Sequence, residues 1–348
     1  MIMISPEHKI LFQLLRGEEV SLPVSLDHEK LFKLFRRHKL FAISGPVKEL
    51  LEGEEKEKWK EIHQQLTLKS LKLTSETVEI IDHFRELGIM AIPLKGPVLA
   101  SNLYGDVGMR HFNDIDLLVE RADLEKTRDA LIKIGYSLAY PGEMSQRQEK
   151  IYFRYKKDIG LHNKKRRIFI ELHYGIYVHE LLKKEEEYHL IEATETIRIQ
   201  NEDVVVLDKE STFIYLVYHG CLHQYFRLFW LRDVAECIKK WDLDHESILQ
   251  RMKELGLGKM LGISINLVIH YFDVMPPAAY SEFLGAERDQ RLINTCHERI
   301  CGPETETLKL KIARHRFLLG LKPGFKYKWT VLWSIIQRWR IRKFMGGH

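Results

Sequence analysis

Apolar residues are spaced in two different ways along this chain, and the change of spacing divides it. From about residue 5 to residue 85 they recur at helical intervals. Ile10, Leu11, Leu14 and Leu15 form one stripe, and Leu31, Leu34, Phe35, Leu40 and Phe41 another. Residues 55–84 are charged and amphipathic throughout and read as one long helix leading into an apolar strand at Ile89. Beyond that point short apolar runs replace the stripes. Residues 89–93 read as a strand entering a turn at Lys95-Gly96. Pro97, a residue favoured at the first helical position, opens a short helix closed near Gly105. Ile115-Asp116-Leu117-Leu118-Val119 reads as a buried strand. Ile168-Phe169-Ile170-Glu171-Leu172-His173-Tyr174 reads as a second, preceded by its partner Ile159-Gly160-Leu161-His162 and a basic hairpin turn at Lys164 to Arg167. From Ser211 helical spacing returns in Phe213, Leu216, Val217 and Gly220. Further helices are expected over residues 244–256, 257–271 and 287–300. Three regions follow: helices over 1–85, a strand-bearing core over 86–208 and a helical region over 209–348, which is an α+β chain.

The polar residues set inside the core strands carry the chemistry. Side chains alternate across a strand, so Asp114 and Asp116 share one face while Ile115, Leu117 and Val119 take the other. Two like charges about 4 Å apart repel by about 4 kcal/mol at an effective dielectric near 20. A divalent cation turns that repulsion into coordination, and Mg²⁺ favours one or two carboxylates together with substrate phosphates. Alone, an Asp-x-Asp pair reads more often as solvated strand-end residues. Here the apolar run around it, and the Lys95, Gly96 and Arg110 that precede it, favour a phosphate-handling site. Gly96 lets backbone approach a phosphate, Lys95 supplies a point charge and Arg110 a bidentate fork. A two-metal site needs a further acid. Glu171 lies mid-strand with His173 on the same face; without its context it reads as a solvent-facing strand Glu beside a His.

The pattern Leu94-Lys95-Gly96, Arg110, Asp114-Ile115-Asp116-Leu117-Leu118-Val119, with Gly135-Tyr136 ending the next helix, resembles the nucleotidyltransferase superfamily with the DNA polymerase β-like fold. More narrowly it is similar to the bacterial uncharacterised nucleotidyltransferase family, in which Lys-Gly stands where most relatives have Gly-Ser. The resemblance is specific over about residues 85–175 and looser over 205–245. It implies a small mixed β-sheet core flanked by N-terminal helices and a C-terminal helical domain. It also implies nucleotide phosphates over Lys95, Gly96 and Arg110, with two Mg²⁺ ions (Mn²⁺ as substitute) on Asp114, Asp116 and Glu171. Lys-Gly lacks the hydroxyl that Gly-Ser offers to a phosphate. His173 is expected to orient Glu171 or touch substrate.

Farther along, His219, His223 and Arg227 recur at i, i+4 and i+8, so they line one helical face. Zinc binding is disfavoured: no Glu adjoins the first His and no third ligand follows at a usual spacing. Packed histidines are the plain reading. A polar wall that contacts nucleotide or acceptor is the preferred one, supported by a similar His-rich helix in the resembled family. The last segment, from Phe325 through Trp329, Trp333, Trp339, Arg340, Arg342 and Lys343, is basic and aromatic. A terminal helix docked on the body is favoured for it, followed by contact with an anionic membrane surface or RNA.

Composition adds bounds. The formal charge of +5 suits anionic substrates without marking a nucleic-acid binder. Four cysteines show no paired metal spacing, and Cys221 and Cys237 read as core thiols. Charged residues stand where a signal peptide would be apolar, so a cytoplasmic protein is expected. The expected activity is transfer of a nucleoside monophosphate from an NTP such as ATP to an acceptor hydroxyl or phosphate, with release of pyrophosphate (the EC 2.7.7 type). A small molecule or modified peptide is the first choice of acceptor. The alternatives are a toxin-like enzyme that modifies tRNA or protein, a phosphotransferase that releases NDP, and a catalytically silent nucleotide-binding relative.

Overall fold

The structure is a computed structural model that describes residues 4–142, 144–176, 193–284, 289–305 and 307–344. These form two compact units. One comprises the described residues of Met1–Leu68 and Thr212–Lys322, the other those of Lys69–Ser211 and Pro323–His348.

The first unit is helical. It contains α1 (Pro6–Arg16), α2 (His28–His38), α3 (Gly45–Glu49) and the start of α4 (Gly53–Glu86). After the sheet residues it resumes with α8 (Lys209–Leu222), α9 (Leu228–Lys240), α10 (His245–Glu254), α11 (Gly258–Phe272), α12 (Gln290–Cys301) and α13 (Leu308–Leu321). Most of the N-terminal stripes expected from sequence are buried: Ile10, Leu11 and Leu15 of α1, with Leu14 half-buried, and Leu31, Leu34 and Phe35 of α2. Phe32, Phe35 and Phe41 pack edge-on around Trp59, which is fully buried. Two buried polar groups tie the early helices to the late ones. The Arg37 guanidinium donates to the carbonyls of Arg299, at 2.7 Å, and Gly302. These carbonyls lie at the end of α12, where helix C=O groups lack intrahelical partners. The Nδ1 of His38 accepts the Leu228 N–H, an orphan donor at the start of α9, at 3.1 Å. Burial pushes the His38 pKa well down, which keeps the ring neutral and able to accept.

The second unit holds the sheet. Its elements are the rest of α4, β1 (Ala91–Pro93), α5 (Pro97–Leu99), β2 (Ile115–Val119), α6 (Leu124–Lys133) and β3 (Ser137–Tyr140). Then follow α7 (Gln146–Tyr155), β4 (Asp158–Asn163), β5 (Ile168–His173), β6 (Thr194–Ile199), β7 (Glu202–Leu207) and α14 (Phe325–Phe344). Five strands pair in the order β1-β2-β5-β4-β3, and β6 with β7 forms a separate hairpin. Only the central β2–β5 pair is parallel, so the sheet is mixed. The α+β class expected from sequence is the class observed.

One face of this sheet builds the core. Ile115, Leu117 and Val119 of β2, and Ile168, Ile170 and Leu172 of β5, join Leu73, Ile80, Ile81 and Phe84 of α4 and Leu124, Ala130 and Leu131 of α6. By the two-residue strand period, Asp116, Glu171 and His173 point to the opposite face. A polar clasp closes the edge of the core. Glu76 of α4 is buried, accepts the Tyr136 hydroxyl proton at 2.6 Å, and pairs with Arg166 of the β4–β5 turn at 2.7 Å. The basic hairpin turn is thus exposed, yet anchored through Arg166 to Glu76 and Glu79. Helix α14 packs against α7. Among the described residues no helix is long and apolar enough to cross a membrane.

Tyr136→Phe removes one of two partners of a buried carboxylate while leaving the ring packed. It is expected to lower unfolding stability by about 1–3 kcal/mol in urea titrations. An unchanged midpoint would show that Arg166 alone satisfies Glu76.

Candidate active site

The parallel register of β2 and β5 sets Asp116 directly opposite Glu171, and Leu118 opposite His173. Parallel neighbours lie about 4.8 Å apart, so the two carboxylates are adjacent because the ladder holds them there. His173 approaches both: its Nε2 lies 3.2 Å from Asp116 Oδ1 and 3.6 Å from Glu171 Oε2. One ligand atom from each of Asp116, Glu171 and His173 can be chosen so that all lie within 4.8 Å of one another. Two carboxylate oxygens and an imidazole nitrogen at this separation fit a divalent cation.

Lys95 joins the cluster through the other edge of β2. β1 runs antiparallel to β2, and the Leu94 N–H continues the ladder by donating to the Asp116 carbonyl at 3.1 Å. The next residue, Lys95, then brings its Nζ to 3.1 Å from Asp116 Oδ1. Gly96 follows with φ 65° and ψ −121°, a backbone state that disfavours any residue with a Cβ. Pro97 opens α5 as expected; α5 is one turn and runs into a wider π-type turn over Ala100–Tyr104.

Burial and the neighbouring Asp116 raise the Glu171 pKa, with Asp114 adding to the rise; His173 and Lys95 oppose it. Asp114 itself lies just before β2 and is half-buried. It adds less to the Glu171 pKa than Asp116 does, and it is not one of the three residues whose ligand atoms cluster, although the sequence sets it beside Asp116 as a metal ligand. Its neighbour Asn113 accepts from Lys69 of α4 at 2.9 Å. Arg110 is buried on the extended segment that leads into β2.

Two further residues shape the site and were not singled out in the sequence. Tyr140, the last residue of β3, donates its hydroxyl to Glu171 Oε1 at 3.4 Å. Its ring lies across β4 at Gly160, where a Cβ would collide with the rings of Tyr140 and Phe169. Glycine inside a strand marks such a close approach, and Gly160 within the run Ile159-Gly160-Leu161 was the available signal.

The helical candidates need one correction. His219, His223 and Arg227 do not share a continuous helix face. α8 ends at Leu222, Gln224 and Tyr225 take positive φ, and Arg227 is the N-cap of α9. The turn has a packing cause: the buried Tyr225 folds back onto Gly220, where a Cβ would strike its ring, and its hydroxyl meets Ser264 at 2.6 Å. His219 and His223 remain neighbours, with ring centroids 4.8 Å apart, and both pack on Trp230. Arg227 lies over the Phe226 ring at 5.0 Å. The helix expected over 287–300 is observed from Gln290; residues 287 and 288 lie outside the described ones.

The raised pKa of Glu171 fixes a sign. Its charged form is penalised in the folded protein, so it lowers stability once pH exceeds the folded pKa. The penalty vanishes as pH falls below the ordinary Glu range, near 4.3. Without metal, Glu171→Gln is therefore expected to raise the melting temperature near pH 8, with the gain shrinking toward about pH 4. A variant less stable than wild type near pH 8 would mean that Lys95 and His173 overcompensate the penalty.

Residues 25–273 match the family model described as uncharacterised nucleotidyltransferase. The match extends well beyond the segment whose motifs carry the resemblance. No curated protein and no solved structure matches the chain. With most of its length matched, and with an acidic cluster able to hold a metal on the central strands, the chain belongs to the uncharacterised nucleotidyltransferase family.

Proposed function

We propose that this protein is a Mg²⁺-dependent nucleotidyltransferase that moves a nucleoside monophosphate from an NTP to an acceptor hydroxyl or phosphate. One observation carries the reading: Asp116 faces Glu171 across the only parallel pair of the five-stranded sheet, with His173 in reach of both. Mg²⁺, or Mn²⁺ in its place, bound by Asp116 and Glu171 with Asp114 beside them would activate the acceptor oxygen and offset charge on the phosphates.

The chain's own residues have separate tasks. Lys95 and Arg110 bind the triphosphate as a point charge and a planar fork, and Gly96 allows backbone to come close to it. Glu171, whose pKa is raised, is suited to accept the proton of an attacking hydroxyl. His173 holds Asp116 in orientation through its 3.2 Å contact. Tyr140 does the same for Glu171. The acceptor oxygen forms a bond to the α-phosphorus, the bond to the bridging oxygen breaks, and pyrophosphate leaves. We assign acceptor or nucleotide contact to His219, His223 and Arg227, beside Trp230. The acceptor class we favour is a small molecule or a modified peptide; tRNA or protein acceptors are the second choice.

A second reading has its own observation. The Lys95 ammonium already sits on Asp116 and offsets part of the charge a cation would meet. A silent nucleotide-binding relative would keep this ion pair and bind NTP without turnover.

Calorimetry with the four NTPs, with and without Mg²⁺, separates the outcomes. Metal-dependent binding of an NTP, lost in Asp114→Ala/Asp116→Ala, is expected, followed by transfer of α-labelled nucleotide across an acceptor panel. Binding with no pyrophosphate release on any acceptor would favour the silent relative. Asp116→Ala alone is expected to reduce turnover by about a hundredfold or more with the fold retained; full activity in a folded variant would sink the assignment. Lys95→Ala is expected to weaken NTP binding about tenfold, the size of a charge-assisted hydrogen bond. Unchanged affinity would restrict Lys95 to holding Asp116.

A further inference from the structure

Helix α14 presents an apolar stripe that the transferase reading does not use. Its residues Phe325, Trp329, Leu332, Ile336 and Trp339 recur at i, i+4, i+7, i+11 and i+14. At 3.6 residues per turn they fall within about 80° of one another around the axis. All five are exposed, Trp329 by 58% and Trp339 by 62%, and Trp333 beside them by 44%. The opposite side of the same helix is the docked one: Val331, Ser334 and Gln337 are buried, and the helix packs on α7. The stripe lies on the side of α14 away from these buried residues. Docking, the favoured expectation for this segment, describes one side of the helix and leaves the aromatic side outward.

Charge selects what covers that side. Over Phe325–Phe344 the sequence of α14 has six Lys and Arg and no Asp or Glu. On a helical projection Lys326 and Lys328 stand on either flank of the stripe, and Arg340 beside Trp333. Tryptophan prefers the boundary between lipid headgroups and acyl chains, and Lys and Arg stems can lie along apolar surface with their charges toward phosphates. A basic helix with a Trp-rich face matches the pattern of interfacial helices. We propose that the exposed face of α14 is a docking surface for anionic membrane lipid, on which the helix lies parallel to the bilayer plane.

Flotation of the full-length protein with lipid vesicles tests this. Phosphatidylcholine vesicles are compared with vesicles carrying about 30 mol% phosphatidylglycerol, at low and at physiological salt. Wild type is expected to float with the anionic vesicles at least about tenfold more than with neutral ones, less so as salt rises. Trp329→Ser/Trp333→Ser/Trp339→Ser is expected to lose most of that binding. Lys326→Gln/Lys328→Gln/Arg340→Gln keeps the apolar stripe and is expected to lose the preference for anionic lipid, which tests the same claim if the Trp variant misfolds. No flotation with anionic vesicles at low salt overturns the proposal, as does flotation that both variants retain. Self-association or binding of single-stranded RNA through α14, without vesicle binding, overturns it in favour of those partners.

Discussion

Everything at the site depends on two carboxylates held side by side by a backbone ladder. Asp116 and Glu171 are register partners in the parallel β2–β5 pair, and the opposite faces of those strands are locked into the core by Ile115, Leu117, Ile170 and Leu172. Neither acid can move away without disturbing that packing. Burial raises the pKa of Glu171, and repulsion from Asp116 adds to the rise. That repulsion is met on one side by Lys95 and on the other by His173, at 3.1 and 3.2 Å from the same Asp116 oxygen. Such a partly compensated pair of acids, with His173 beside it, could hold a divalent cation.

The surrounding features each serve that pair. The β1–β2 ladder delivers Lys95, and Gly96 turns the chain immediately after it. The missing side chain at Gly160 leaves room for the Tyr140 ring, whose hydroxyl reaches Glu171. The clasp of Tyr136, Glu76 and Arg166 joins α4 to the β4–β5 turn and so steadies the strand that carries Glu171 and His173. In the helical unit, orphan groups at helix ends are satisfied by Arg37 and His38, residues more than 180 positions away in sequence.

Much of this was legible because burial writes itself as pattern. β2, β4 and β5 appear as apolar runs, and an acid inside such a run stands out. The Lys95-Gly96-Pro97 turn follows from residues with fixed backbone preferences. Other parts have no local signature. β3 alternates between exposed and half-buried residues, so nothing in Ser137-Leu138-Ala139-Tyr140 demands a strand. That β2 pairs with β5 rather than with the strand next in sequence is a long-range outcome, and it is what puts His173 beside Asp116. The end of α8 at Leu222 was hidden for the same reason. His219, His223 and Arg227 keep helical spacing, but the chain turns after Leu222 where Tyr225 packs on Gly220 and meets Ser264.

Pulsed electron paramagnetic resonance of Mn²⁺ added to the protein with an NTP addresses the acidic pair most directly. Coordination by Asp116 and Glu171 next to His173, with the triphosphate bound, is expected to give ³¹P hyperfine coupling in wild type that is lost in Asp116→Asn/Glu171→Gln. A ¹⁴N coupling that disappears in His173→Gln would place the imidazole on the metal. A Mn²⁺ spectrum the same as that of the Mn²⁺–NTP complex without protein would contradict a metal and nucleotide site on β2 and β5.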